Sequence, residues 1–104
     1  MLKQSDIKKE IDCILVPKVF FTEKYKYLNT VTKIMYCFLM DRMKYEGNPV
    51  VYPIKEMASI LNISHSTVIR YYKQLELNEF IHIQRRGLNK PNLIYLKKHF
   101  HDEI

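Results

Sequence analysis

The stretch "PIKEMASILNISHSTVIRYYKQLEL", residues 53–77, constrains the fold more than any other part of the chain. Its first ten residues read as a two-turn helix opened by Pro53, with Ile54, Met57, Ala58 and Leu61 turned inward. Asn62 follows, and asparagine enters the left-handed conformation more readily than most residues, so a sharp turn is expected there. Ile63 is placed to plug that turn and Ser64 to cap the next helix, while Val68, Tyr72 and Leu75 point back to the core. Small Ala58 and Val68 let the two helices approach closely across a three-residue turn. The combination predicts a helix-turn-helix.

After Leu77 the apolar period changes from helical to alternating in "FIHIQ", residues 80–84. "RRGLNKPN" then supplies a glycine and a proline within a basic turn, and "LIYL", residues 93–96, returns as a second strand. A helix-turn-helix followed by such a hairpin is a winged helix, with Arg85 to Asn92 as the wing. The expected fold class is therefore mainly α (α+β), a winged helix-turn-helix with a small antiparallel β wing.

Upstream, Asn29 is placed to cap a long helix running through "TVTKIMYCFLMDRMKYE". Val31, Ile34, Met35, Phe38, Leu39 and Met43 form its expected inward stripe. Tyr36, Cys37 and Met40 fall partly off that stripe, which predicts a second buried face, under the N-terminal arm or against another subunit. The arm is "CILVPKVFFTEKYKYL". Its Ile14, Val16, Val19, Phe20, Tyr25, Tyr27 and Leu28 are expected to leave water, and Pro17 breaks any regular element, so an extended arm with a short helical turn is expected. Gly47-Asn48-Pro49 stops the long helix, and Val50-Val51-Tyr52 reads as a short edge strand. The expected organisation is one domain over residues 14–98, with a flexible N-terminal tail over 1–13 and a C-terminal tail over 99–104.

Charge is unevenly placed. The whole chain carries +6 at pH 7, with 17 basic and 11 acidic residues. From Ser64 to Lys98 there are seven basic residues (Arg70, Lys73, Arg85, Arg86, Lys90, Lys97 and Lys98) against two acidic ones, Glu76 and Glu79. Nearly all of the positive field thus comes from the helix-turn-helix and wing, as an electrostatic docking face for a polyanion requires. Other classes find little support. No apolar run is long enough for a membrane span. "MLKQSDIKKE" is charged rather than apolar, so no secretory segment is expected; the expected compartment is the cytoplasm, with both cysteines reduced. Cys13 and Cys37, and His99 and His101, lack ligand spacing, so no metal and no cofactor are expected. No phosphate loop, nucleophile elbow or paired catalytic carboxylates appear, and an enzyme is not expected.

The helix beginning at Ser64 suits a duplex groove. Its N-terminus presents free backbone N–H groups and a partial positive charge that favour a phosphate oxygen near Ser64, Ser66 and Thr67. His65, Ser66, Arg70 and Lys73 lie opposite the core stripe, where they can reach base edges. Arg70 has three candidate roles: a bidentate contact to guanine, a phosphate contact, or an ion pair with Glu76 or Glu56. Arg85, Arg86, Asn89 and Lys90 are the wing's candidates for minor-groove or phosphate contact. Tyr71, beside the stripe, is expected at the edge of the core.

The segments "VPKVFF", "KYKYL", "KIMYCFLMDRM", "VYPIKEMASILNIS", "STVIRYYKQLE" and "RRGLNKPNLIYL", spanning Val16 to Leu96, resemble the N-terminal domain of the plasmid replication initiator A family (RepA_N) of Gram-positive bacteria. "LMDRM" and "GLNKPNLIYL" are the more specific of these. The resemblance implies a winged-helix module that binds repeated sites in a plasmid origin as a homodimer and starts replication by bringing in host replication proteins. Family members are normally longer, with a C-terminal domain associated with host factors, so the chain is expected to be an excised domain or a short relative. Where many winged helices carry glycine after the recognition helix this chain has Glu79, and Asn78 is expected to supply the left-handed residue instead.

The leading expectation is therefore sequence-specific double-stranded DNA binding at a plasmid replication origin. A winged-helix repressor acting by promoter occlusion would use the same face. A protein-interaction winged helix that never touches DNA is the reading from another class, and the concentrated positive charge argues against it. For a dimer, the apolar side of the first helix and the arm are the candidate surfaces, with recognition helices one duplex turn, about 34 Å, apart.

Overall fold

A computed structural model describes residues 12–98. Most of the expected tails, with His99 and His101, lies outside the described residues. Among the described residues, three α-helices are followed by one two-stranded antiparallel sheet: α1 (Thr30–Glu46), α2 (Ile54–Leu61), α3 (His65–Leu77), β1 (Ile81–Gln84) and β2 (Leu93–Leu96). The fold is a winged helix. In the sheet, Ile81 pairs with Leu96 and Gln84 with Leu93. Ile81 and Ile83 are buried while His82 and Gln84 face solvent, so the alternation read in "FIHIQ" sets which side packs on the helices.

The arm contains two single-turn 3₁₀ segments, Lys18–Phe21 and Glu23–Tyr25, and buries Phe20, Tyr25 and Leu28. Val16 and Tyr27, expected inside, are instead 39% and 60% exposed, because the tight turns bury only some of the arm's apolar side chains. Phe20 and Tyr25 join Tyr36 of α1 and Phe80 at the start of the hairpin. Tyr36 meets Phe80 edge to face with centroids 5.2 Å apart, and Phe20 meets Tyr36 at 6.2 Å. The arm therefore covers the second face of α1 at Tyr36. The Tyr36 hydroxyl donates to Lys98 O at 2.6 Å and accepts from Lys98 N–H at 3.1 Å, tying the end of the hairpin to α1.

α1 begins as its sequence requires, with Asn29 Oδ1 accepting the Thr32 N–H at 2.8 Å. Its buried residues are Thr32, Lys33, Met35, Tyr36, Cys37 and Leu39, whereas Val31, Ile34, Phe38 and Met43 are half-buried. The centre of the stripe is thus rotated from the expected one toward Thr32, Met35, Tyr36 and Leu39. The reason is that α1 is packed on more than one side, and Thr32 can enter the core because its hydroxyl donates to Asn29 Oδ1. Burial pushes the Cys37 thiol up to about 12, leaving it an inert core group.

The expected edge strand at 50–52 is reduced to a single bridge in which Val50 and Ile94 exchange N–H···O bonds of 2.9 Å. Beside it the Asn48 side chain substitutes for a strand, donating to Leu96 O at 2.9 Å and accepting Leu96 N–H at 3.0 Å. The chain then leaves the sheet, with Pro53 as the residue before α2. Arg42 of α1 secures this crossing. It donates to Val51 O at 2.8 Å, pairs with Glu56 through both carboxylate oxygens, and stacks 3.6 Å from the centre of the Tyr52 ring.

Candidate nucleic-acid interface

The helix-turn-helix forms as its residues dictate. Asn62 adopts φ 56° and ψ 49°, and Ile63 N–H returns to Ala58 O at 3.1 Å, closing α2 and dropping Ile63 into the turn, half-buried. Ser64 Oγ accepts Thr67 N–H at 3.1 Å and caps α3. It also lies 2.7 Å from Thr67 Oγ1 and 3.1 Å from Ser66 Oγ, so the three hydroxyls form one hydrogen-bonded cluster at the helix start. Val68, Tyr72 and Leu75 are buried, and the Tyr72 hydroxyl donates to Tyr52 O at 3.2 Å. Tyr71 is half-buried at the core edge, with the Arg70 guanidinium 5.2 Å from its ring centre.

The other face of α3 is open. Ser64, His65, Ser66, Arg70 and Lys73 are exposed and Thr67 is half-buried. Ser66, Arg70 and Lys73 stand at i, i+4 and i+7, one continuous helix face. Neither carboxylate considered as an Arg70 partner is available to it, since Glu56 pairs with Arg42 and Glu76 with Arg85. Among the described residues Arg70 makes no ion pair, and its planar fork is left to its neighbour's ring and to solvent.

α3 ends in a way the sequence reading missed. Asn78 has φ −93°, and Glu79 itself takes the left-handed conformation with φ 65°. Glu79 N–H bonds to Glu76 O and Phe80 N–H to Leu75 O at 2.9 Å, the paired bonds of a Schellman ending, with Phe80 packed inside beside Leu75. Those bonds and the burial of Phe80 override the preference for glycine, and the Glu79 carboxylate pairs with Lys97 across the hairpin.

The wing projects from this end. Gly87 (φ 86°) and Asn89 (φ 64°) make its turns, and Arg86 Nε donates to Pro91 O at 2.9 Å across the loop. Arg85, Arg86, Asn89 and Lys90 are all exposed. Arg85 is not wholly free, because its guanidinium reaches Glu76 at 3.4 Å. Glu76 in addition accepts Ile83 N–H at 3.3 Å, so one carboxylate joins the recognition helix to the root of the wing. Burial acts to raise its pKa, but Arg85 and the Ile83 N–H outweigh burial and hold it below the ordinary carboxylate range.

Between α3, the start of α2 and the wing lies a cleft of about 440 Å³. Lys73, Arg85, Lys90 and Asn92 line it together with apolar Ile69, Ile83 and Ile94. Of the expected site residues, Lys73 from the helix and Arg85 and Lys90 from the wing meet at this cleft; Arg70, Arg86 and Asn89 are exposed but do not line it, and Ser64 to Thr67 sit at the far end of α3. Ile69 and Asn92 were not singled out from sequence. Ile69, 40% exposed, could have been found as the apolar residue that falls outside the Val68, Tyr72, Leu75 stripe.

Residues 13–103 match the family described as replication initiator protein A (RepA) N-terminus. Three similar solved structures each align with 94% of this chain. One, described as a Rep–DNA complex, is 35% identical with a TM-score of 0.71 and is covered over 83% of its length. Another, the N-terminal domain of a DNA-binding protein, is 35% identical with a TM-score of 0.70 and 82% coverage. The third, an MDR initiator, is 29% identical with a TM-score of 0.67 and 85% coverage. No curated protein matches the sequence. With the family match spanning nearly the whole described chain and these relatives sharing its winged helix, the protein belongs to the RepA N-terminal family.

Proposed function

We propose that this chain is the DNA-binding domain of a plasmid replication initiator and acts by binding alone, without catalysis. α3 enters the major groove, where Arg70 contacts a base edge and Lys73, with the hydroxyl cluster at Ser64, Ser66 and Thr67, positions the backbone. His65 stands beside them on the groove side. Arg85, Arg86, Asn89 and Lys90 hold the neighbouring phosphates or minor groove. The observation that carries this reading is the convergence of Lys73 from α3 with Arg85 and Lys90 from the wing on one cleft, with Arg70, on the same open face of α3 as Lys73, making no ion pair among the described residues. Charge of one sign gathered on helix and wing attracts a duplex and gives affinity that falls steeply with salt.

The sites are origin repeats and the binding unit is a homodimer. The exposed apolar side chains of the arm, Leu15, Val16, Phe21 and Tyr27, supply a surface for the second copy. Host replication proteins are then brought to the origin in the manner of the family. A cytoplasmic setting fits this work, and among the described residues no helix is long and apolar enough to cross a membrane.

The test is a titration of two labelled duplexes at two salt concentrations, one enriched from a random pool by this protein and one scrambled. Binding of the enriched duplex at least about a thousandfold tighter, with affinity for both falling as salt rises, is the expected result. Equal binding of both duplexes, or binding indifferent to salt, would overturn the reading.

A further inference from the structure

The wing tip carries a side chain that its electrostatic role does not need. Leu88 is 93% exposed, more than any other large apolar residue among the described ones. It stands between two residues of positive φ, Gly87 at 86° and Asn89 at 64°, which turn the chain on either side of it. A Cβ on Gly87 would meet nothing within 4 Å, so the glycine is there for its backbone conformation rather than for lack of room. Beneath the tip, Arg86 Nε braces Pro91 O at 2.9 Å, and the Tyr95 hydroxyl reaches Gln84 Oε1 at 3.1 Å across the strands. The leucine is thus held out on a braced hairpin.

Serine or glycine would turn the chain as well and would suit water better. What distinguishes the site is an apolar residue flanked along the loop by exposed Arg85, Arg86, Asn89 and Lys90. A second copy of such a tip would be repelled by those positive charges, and an apolar protein groove would gain nothing from them. A duplex minor groove satisfies both parts: phosphates on its rims for the cations, and a floor about 6 Å wide into which an apolar side chain fits against the base edges.

We propose that Leu88 is a minor-groove wedge, pressed between base edges at the step that faces the wing and favouring sequences that open easily there. This rests on the DNA-binding reading above. The step it contacts is expected to be rich in A·T pairs, because the guanine amino group of a G·C pair would obstruct the leucine, and pyrimidine–purine steps yield most readily.

The experiment uses a duplex enriched from a random pool by the wild-type protein, with Leu88→Ala and Leu88→Met, both at a solvent-exposed position that leaves the core intact. Leu88→Ala is expected to weaken binding roughly five- to tenfold with no change in the salt slope, and Leu88→Met to recover most of the loss. A minor-groove ligand such as netropsin, bound beforehand, should remove the difference between wild type and Leu88→Ala. Wild-type affinity in Leu88→Ala, or a loss that persists with the groove blocked, overturns the wedge while leaving DNA binding in place. Failure of the wild-type protein to bind any duplex overturns both.

Discussion

Glu76 and Arg85, nine residues apart on either side of the helix end, meet at 3.4 Å and so fix the wing to the recognition helix. Because Glu76 also accepts the Ile83 N–H, removing its charge and removing its side chain have different consequences. Glu76→Gln keeps an acceptor for Ile83 and is expected to cost about 0.5 kcal/mol of stability, whereas Glu76→Ala costs roughly 1–2 kcal/mol. Both free Arg85 and remove a negative charge beside the groove. Binding to scrambled duplex should therefore tighten, and the ratio of specific to non-specific affinity should fall. Thermal melts and competition titrations read the two effects separately.

Arg70 and Lys90 divide the work. Arg70→Ala is expected to cost about 1–3 kcal/mol on the preferred duplex and to relax preference at one base position. Lys90→Ala should weaken all sequences alike and lower the salt slope by about one. Titrations of both variants on a set of base-substituted duplexes check this, and a loss of the same sequence-blind kind in both would be inconsistent with the assignment.

Glu79 holds a left-handed backbone without being glycine, at φ 65°. Such a conformation is costly for a residue with a Cβ, and the exposed pair with Lys97 returns little. Glu79→Gly is expected to raise the melting temperature by roughly 2–6 °C. A β-branched residue such as valine at the same place should lower it.

Acid should loosen the crossing between α1 and α2. The Arg42 guanidinium holds the Glu56 carboxyl below its ordinary value, so in this pH range the unfolded chain binds more protons than the folded one. The stabilisation is complete above the unfolded pKa and is lost as pH falls through the depressed folded value. Glu56→Gln should be less stable than wild type at neutral pH by about 0.5–1 kcal/mol, with the gap closing below about pH 4. Denaturation midpoints measured across that range by circular dichroism test the sign.

Much of this was written locally in the chain. The turn at Asn62, the Ser64 cap, the Val68–Tyr72–Leu75 stripe and the alternation from Phe80 depend on neighbours three or four residues away, and sequence displays such spacing directly. The inward side of α1 was legible only in part. A helix covered by the arm, the hairpin end and α3 has no single apolar stripe, so periodicity placed its centre beside the true one. Asn48 acting as a strand, Glu79 in place of glycine and the Glu76–Arg85 tie all arise from tertiary geometry that overrides residue preference. The candidate site followed the same division: its residues could be named from charge and spacing, while the cleft that unites Lys73, Arg85 and Lys90 emerged only when the wing folded against α3.

The central claim is that one face, made by α3 and the wing, receives the duplex. Its most direct test is backbone amide chemical-shift mapping on the ¹⁵N-labelled chain as an enriched duplex is added. DNA binding through this face predicts the largest shifts at residues 64–73 and 85–92, with the C-terminal half of α1 unmoved. Shifts centred instead on α1 or the N-terminal arm, with α3 and the wing silent, would contradict it.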